Sequence, residues 1–307
     1  SLWHKLRSGV GFARYLWAAD GEALRHEREV QAFRLPRPPG ARAAWEAIEL
    51  ARPFLRRSYC VHLQVSAKTA VMSGILEAML QKRQVPVAER EAIMAEVLAG
   101  AGDVTIARLI RDFEAVQAMV VAHPDVQARL LSGSVGAAQA WLLGAESGAA
   151  GEAFRSYLER WGHRANRELD IREKGWRDDP TPLVVSLRAS LTGRRSPERA
   201  ELVQTRPERA LSRAERWARR KAQRGVVMRE FSKNLLVATS DHFKRAYRHL
   251  AAELVAEGKL AQADDVYFLT HQELGRLARG EEPGLAGRAP LRRETWKRQQ
   301  TFRYPAV

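Results

Sequence analysis

Apolar residues recur at intervals of three and four along almost the whole chain, and this spacing restricts the fold more than any other feature. From Trp3 to Phe33 the series Leu6, Val10, Ala13 and Trp17 marks one helix face, and Pro36, Pro38, Pro39 and Gly40 end that helix. A second helix carries Trp45, Ile48 and Ala51. Pro53 is placed to begin a third, through Tyr59 and His62 to Leu80, and Pro86 opens the next, which Gly100-Ala101-Gly102 closes. Asp103 reads as the N-cap of a helix through Leu109, Phe113, Val116 and Val120, stopped at His123-Pro124. Asp125 starts a short helix closed by Gly133. The Gly- and Ala-rich stretch from Gly136 to Gly151 reads either as close-packed helix or as a mobile loop, and Phe154, Tyr157 and Trp161 lie on a helix that Gly162 ends.

Residues 163–182 break the pattern with Gly175, Asp178-Asp179-Pro180 and Pro182, and a short helix follows to Gly193. Pro197 opens the longest helical reach, to Gly258, with Pro207 and Gly225 as the points where it would break. Asp264 to Thr270 reads as a short strand or extended piece, before Thr270 or His271 leads a brief helix with Glu273 and Leu274. The expected fold is all-α: an irregular multi-helix domain over 1–279, with long helices and at most a few short strands. A peripheral tail or linker rich in Gly, Pro and Arg follows over 280–307.

Length and composition set further bounds. The 307 residues are 45% hydrophobic, enough for a sizeable core. No run of about 18 apolar residues occurs, so no membrane span is expected. Ser1-Leu2-Trp3-His4-Lys5-Leu6-Arg7 lacks a signal core, and with no initial Met the chain reads either as a whole protein or as a piece of a longer one. The single cysteine, Cys60, fits a reducing, cytoplasmic setting and reads as a buried, inert thiol. The net charge of +15, from 51 basic and 36 acidic residues, invites a polyanionic partner or balance by acidic domains elsewhere in a larger protein.

The common catalytic patterns are missing. There is no glycine-rich phosphate loop, no G-x-S-x-G elbow, and no histidine pair or cysteine set with zinc spacing, so neither a bound metal nor a catalytic residue is expected in this chain. Three clusters remain. The first is Gly162-His163-Arg164-Ala165-Asn166-Arg167-Glu168-Leu169-Asp170 with Trp176-Arg177-Asp178-Asp179-Pro180. It supplies donors and acceptors that either hold a polar ligand or satisfy one another. The second is Arg229-Glu230-Phe231-Ser232-Lys233, where Arg229 and Lys233 share a helix face at i, i+4. Their repulsion costs a few tenths of a kcal/mol, which a ligand oxygen between them or simple solvation would offset. The third is the row Arg206, Arg209, Arg213, Arg216, Arg220 and Arg224, opposite Leu211, Ala214, Ala218 and Ala222. It is the best candidate for nucleic acid, though Trp217 is its lone aromatic.

In this order the clusters resemble the helical central domain of phosphoenolpyruvate-utilising enzymes, as in rifampin phosphotransferases and the prodiginine-condensing enzymes related to phosphoenolpyruvate synthase. The segment His163-Arg164-x-x-x-Glu168-x-Asp170 with Trp176-x-x-Asp179-Pro180 is similar to the family's "HRG…E…RW…DP" pattern. Gly102-Asp103-Val104-Thr105 is similar to its "GNVT" turn, Arg229-Glu230-Phe231-Ser232-Lys233 to its "RExxK" helix, and Asp265 to Leu274 to its "D-[VI]-[FY]-[FY]-L-T-x-x-E-L" segment. The match covers about residues 100–275. Ala165 stands where the family has Gly, and Ser232-Lys233-Asn234 replaces its "PKF".

The resemblance implies an acceptor-binding domain of an ATP-dependent phosphotransferase of dikinase type. ATP and Mg would bind an ATP-grasp domain, and a swivelling domain would carry a phosphohistidine; neither pattern occurs in this chain. Arg229 and Lys233 would face an internal pocket for a bulky organic small molecule, with His163, Arg164 and Glu168 in the neighbouring loop. The alternatives are an ATP-dependent condensing enzyme of natural-product biosynthesis and, from a different class, a basic helical nucleic-acid-binding protein.

Overall fold

The structure is a computed structural model that describes residues 2–99, 105–193 and 211–302. Among them the three-to-four spacing produces eleven α-helices and no strand. They are α1 (Leu2–Ala32), α2 (Ala41–Lys82), α3 (Val87–Ala99), α4 (Thr105–Val121), α5 (Pro124–Leu131) and α6 (Val135–Leu143). The series continues with α7 (Gly148–Trp161), α8 (Thr181–Leu191), α9 (Arg213–Ala256), α10 (His271–Arg279) and α11 (Arg288–Gln300). The Asp103 cap, the turn from Gly102 to Val104, Pro197, Pro207, Arg206 and Arg209 lie outside the described residues.

Two expected breaks are not breaks. Pro53 sits inside α2, which runs unbroken for 42 residues. The missing N–H and ring crowding at a mid-helix proline oppose this. They are outweighed by an apolar face that places Ile48, Val61, Val65, Leu76 and Leu80 in hydrophobic cores. Gly225 likewise lies within α9. Its role is close approach: a Cβ there would stand 2.9 Å from Thr69 Oγ1 and 3.1 Å from Thr69 Cα. The Thr69 hydroxyl donates to the Gly225 carbonyl at 2.9 Å, pinning α2 to α9. Gly225→Ala is therefore expected to destabilise the protein by about 1–2 kcal/mol, the cost of overpacking exceeding the gain in helix propensity. Urea unfolding with an unchanged slope and a lower midpoint would check it.

The chain divides into two compact units, one of residues 1–31, 57–165 and 175–238, the other of residues 32–56, 166–174 and 239–307. The first unit has three cores. Ala19 and Ala23 of α1 pack with Val61, Val65 and Met228. Leu76, Leu80, Ile93 and Val97 pack with Ala218, Ala222 and Val226 of α9. Helices α4 to α8 enclose a third core around Phe154, Leu130, Leu142 and Leu187. In this last group the Gly/Ala-rich stretch is ordered helix, broken by one 3-10 turn at Ala145–Ser147 and started by Ser134, whose hydroxyl accepts from the Ala137 N–H.

Polar bridges fix the register of the long helices. Buried His26 hydrogen-bonds Ser58 at 2.7 Å and Glu29 at 3.0 Å. Asp20 accepts from Lys68 at 2.6 Å and Arg224 at 2.8 Å. Burial alone would raise the Asp20 carboxyl, but those two bonds outweigh it and hold the group below its usual range.

The second unit packs Ile48, Phe243, Leu250, Leu254, Leu274 and Leu277 around one core. The first N–H groups of α2 would be orphaned. Glu253 and Glu257 of α9 accept from the Gly40 and Ala41 N–H groups, each at 2.6 Å.

Asp264 to Thr270, expected as a short strand or extended piece, is a 3-10 helix over Ala263–Phe268 and extended only at Leu269 and Thr270. No strand exists among the described residues to pair with it, so its backbone bonds locally while Asp265 and Val266 turn inward. Thr270 caps α10 through a full capping box with Glu273. After Gly280 the chain forms a 3-10 turn and α11, which bury Leu285 and Ala289.

Arg292 grips the Glu273 carboxylate at 2.6 and 2.8 Å, and Arg288 adds a bond at 2.9 Å. Bonds from Arg292 first of all, and from the Thr270 backbone and Arg288, hold that carboxyl far below its usual value despite burial. A depressed carboxylate stabilises the fold above its unfolded value of 4.5, and that contribution is lost as pH falls below it. Glu273→Gln can keep the capping box but loses the carboxylate that Arg292 and Arg288 hold, and is expected to cost about 2 kcal/mol at neutral pH. Thermal unfolding should also show a shallower acid dependence for this variant.

Candidate functional site

Four groups of the first unit meet where α2 and α9 lie side by side. Arg229 and, one turn on, Ser232 and Lys233 come from α9, and His62 comes from α2. Its Nδ1 lies 3.1 Å from Ser232 Oγ. That hydroxyl is buried, and its own proton goes to the Arg229 carbonyl at 3.0 Å. A ring that donates from Nδ1 to Ser232 Oγ carries its lone pair on Nε2. Nε2 hydrogen-bonds to nothing else among the described residues.

The imidazole is held neutral. Burial lowers its pKa most; the Glu230 carboxylate works in the opposite direction, and the charges of Arg229 and Lys233 lower it further. The set is an imidazole whose protonated form is disfavoured, with two cations in its neighbourhood. Such a set can take a proton from a hydroxyl while the cations hold negatively charged oxygens.

The Arg229 side chain is 42% exposed and reaches Glu230 at 3.4 Å. Lys233 is half-buried and engaged within the fold.

His163 and Arg164 converge on the residue that follows Lys233. His163 Nε2 donates to Asn234 Oδ1 at 2.9 Å, and Arg164 donates to the same oxygen at 3.2 Å. Arg164 is buried, and the His163 ring lies 6.4 Å from that of Trp161. The loop is closed at its base by two backbone bonds, Trp176 N–H to the Arg164 carbonyl at 2.8 Å and Arg177 N–H to the Gly162 carbonyl at 2.9 Å. Gly162 is required there, since a Cβ would come within 2.7 Å of Arg177 Cβ. Glu168 is half-buried and belongs to the second unit, with Arg167, Asp170 and Glu173.

Cys60 is exposed, because its place on α2 lies off the face that carries Val61 and Val65. Of the arginine row, Arg213, Arg216, Arg220 and Arg224 are exposed along α9, opposite buried Ala218 and Ala222; Ala214, expected with them, is exposed. Among the described residues no group of three or more His, Cys, Asp or Glu side chains is placed to hold a metal ion. No described helix is long and apolar enough to cross a membrane.

Helical and without strands among its described residues, the chain is, by the matches that follow, a helical domain of the phosphoenolpyruvate-utilising type. Residues 62–248 match the family model of the rifampicin phosphotransferase fourth domain, and the chain belongs to that family. It is similar to a rifampicin phosphotransferase from Streptomyces sp, with 31% identity over 148 residues. That match covers 42% of this chain and 17% of the relative's length. The matched family segment begins at His62 and contains Arg229, Lys233, His163, Arg164 and Glu168.

Proposed function

We propose that this chain is the acceptor-binding helical domain of an ATP-dependent phosphotransferase that works through a phosphohistidine. ATP and Mg would bind an ATP-grasp domain, and a swivelling domain would present the phosphohistidine, in cis or in trans. The acceptor is a bulky, largely apolar organic molecule bearing a hydroxyl, of which rifampicin, named by the Streptomyces relative, is the first to test. The observation that carries this reading is the neutral His62 imidazole beside Arg229 and Lys233, inside the family-matched segment.

The transfer follows from those groups. The acceptor hydroxyl oxygen attacks phosphorus, and the bond from phosphorus to the carrier imidazole breaks, its electron pair staying on that ring, which leaves neutral because its other nitrogen is protonated. The hydroxyl proton passes to Nε2 of His62. Arg229 and Lys233 hold the equatorial phosphoryl oxygens as charge builds on them. The loop that His163 and Arg164 fasten to Asn234 fixes the α9 turn after Lys233, so these two act by positioning. Glu168 is assigned to acceptor binding by the family resemblance.

Titration of rifampicin into the protein, followed by calorimetry, tests the acceptor reading. Saturable binding weakened in Lys233→Ala supports it. Heats that are indistinguishable from dilution, or equal in both proteins, count against it.

A further inference from the structure

The second unit holds a cleft of about 660 Å³, and none of its lining residues belongs to the proposed acceptor site. Its wall is cationic: Arg172, Lys174, Arg248, Arg293 and Lys297 line it, against one carboxylate, Asp264. The neighbouring acids are already engaged. Asp265 is held by Arg293 at 2.9 Å, Asp170 accepts the Arg172 backbone N–H at 3.0 Å, and Glu173 accepts from Arg167 at 3.2 Å. Lys174 and Lys297 have no ion pair among the described residues.

Lys244, one turn before Arg248 on the same face of α9, is 2% exposed, and its Nζ makes no hydrogen bond among the described residues. Burial pushes that ammonium down, against the upward pull of Asp241, Glu173 and Asp170. Lys244 does not itself line the cleft; Arg248 is the like charge beside it, and the three carboxylates balance its ammonium in part.

The cleft also offers flat surfaces. The Arg172 guanidinium lies 4.6 Å over the Trp296 ring, and Phe268 meets Trp296 edge-on at 6.0 Å. A guanidinium stacked on indole presents a planar, charged platform, suited to a planar anion. The volume is that of a small-molecule site.

We propose that this cleft binds a small aromatic molecule carrying a phosphate group, with the ring against the Arg172–Trp296 stack and the phosphate among Lys174, Arg248 and Lys297. The inference does not rest on the acceptor reading. Calorimetric titration of the protein with 1-naphthyl phosphate tests it, with 1-naphthol and inorganic phosphate titrated in parallel. The expected result is saturable binding with a Kd of about 1 mM or below, the range for a ligand of this size. Lys174→Ala/Lys297→Ala, both exposed positions that leave the cores intact, should weaken it by about tenfold or more. Trp296→Leu should bring its affinity down to that of phosphate alone. No saturable binding, binding unchanged in both variants, or inorganic phosphate binding as tightly as the naphthyl ester would each overturn the proposal.

Discussion

His62→Gln is expected to lower acceptor phosphorylation by about a hundred- to ten-thousandfold, the usual contribution of a positioned general base. Glutamine can still hydrogen-bond Ser232, so the α2–α9 contact survives while the proton acceptor is lost. The pH profile separates this role from a structural one. His62 is held below its ordinary value of 6.5, so the wild-type rate should stay high through neutral pH and fall only as pH drops below that value. The variant should lose that limb along with the rate. An equal rate in His62→Gln, or an unchanged acid limb, would remove His62 from the mechanism.

Lys233→Ala is expected to weaken acceptor phosphorylation by roughly 1.5–3 kcal/mol, the scale of a charge-assisted hydrogen bond, or about 10- to 150-fold in rate. Phosphorylation of the carrier histidine by ATP should survive, because that step occurs outside this chain. Lys233→Arg keeps the charge but changes its reach and geometry, and should recover part of the loss. Arg229→Ala should act in the same direction with a smaller effect, since its exposed guanidinium is better screened by solvent. Single-turnover transfer from a pre-phosphorylated carrier isolates the affected step.

The helices are legible in the sequence because three-to-four spacing reports directly which face is buried. The errors fall where packing overrides a local signal. Pro53 and Gly225 carry strong breaking propensities, but each sits on a helix whose apolar face continues through it. Gly225 is there for the approach of Thr69, a partner 156 residues away, which no local window contains. Asp264 to Thr270 carries β-favouring Val, Tyr, Phe and Thr, yet strand formation needs a partner strand and none is present among the described residues.

The proposed site divides in the same way. Arg229 and Lys233 stand out as a like-charge pair at i, i+4 on one predicted helix. His62 does not, because a single histidine on an amphipathic helix has no pattern; only the crossing of α2 and α9 brings it to Ser232. Asn234 is visible as a departure from the family's pattern. Its role as the shared acceptor of His163 and Arg164 emerges from the folded loop.

The most direct test of the central claim is acceptor phosphorylation by the enzyme assembled from this chain with its ATP-grasp and phosphohistidine domains. The substrates are ATP, Mg and a set of bulky hydroxylated organic compounds that includes rifampicin, and the products are read by mass spectrometry. The account predicts a phosphate ester on an acceptor hydroxyl, formed only when this chain is present and lost in His62→Gln. A carrier histidine that becomes phosphorylated while every acceptor in the set stays unmodified would contradict it.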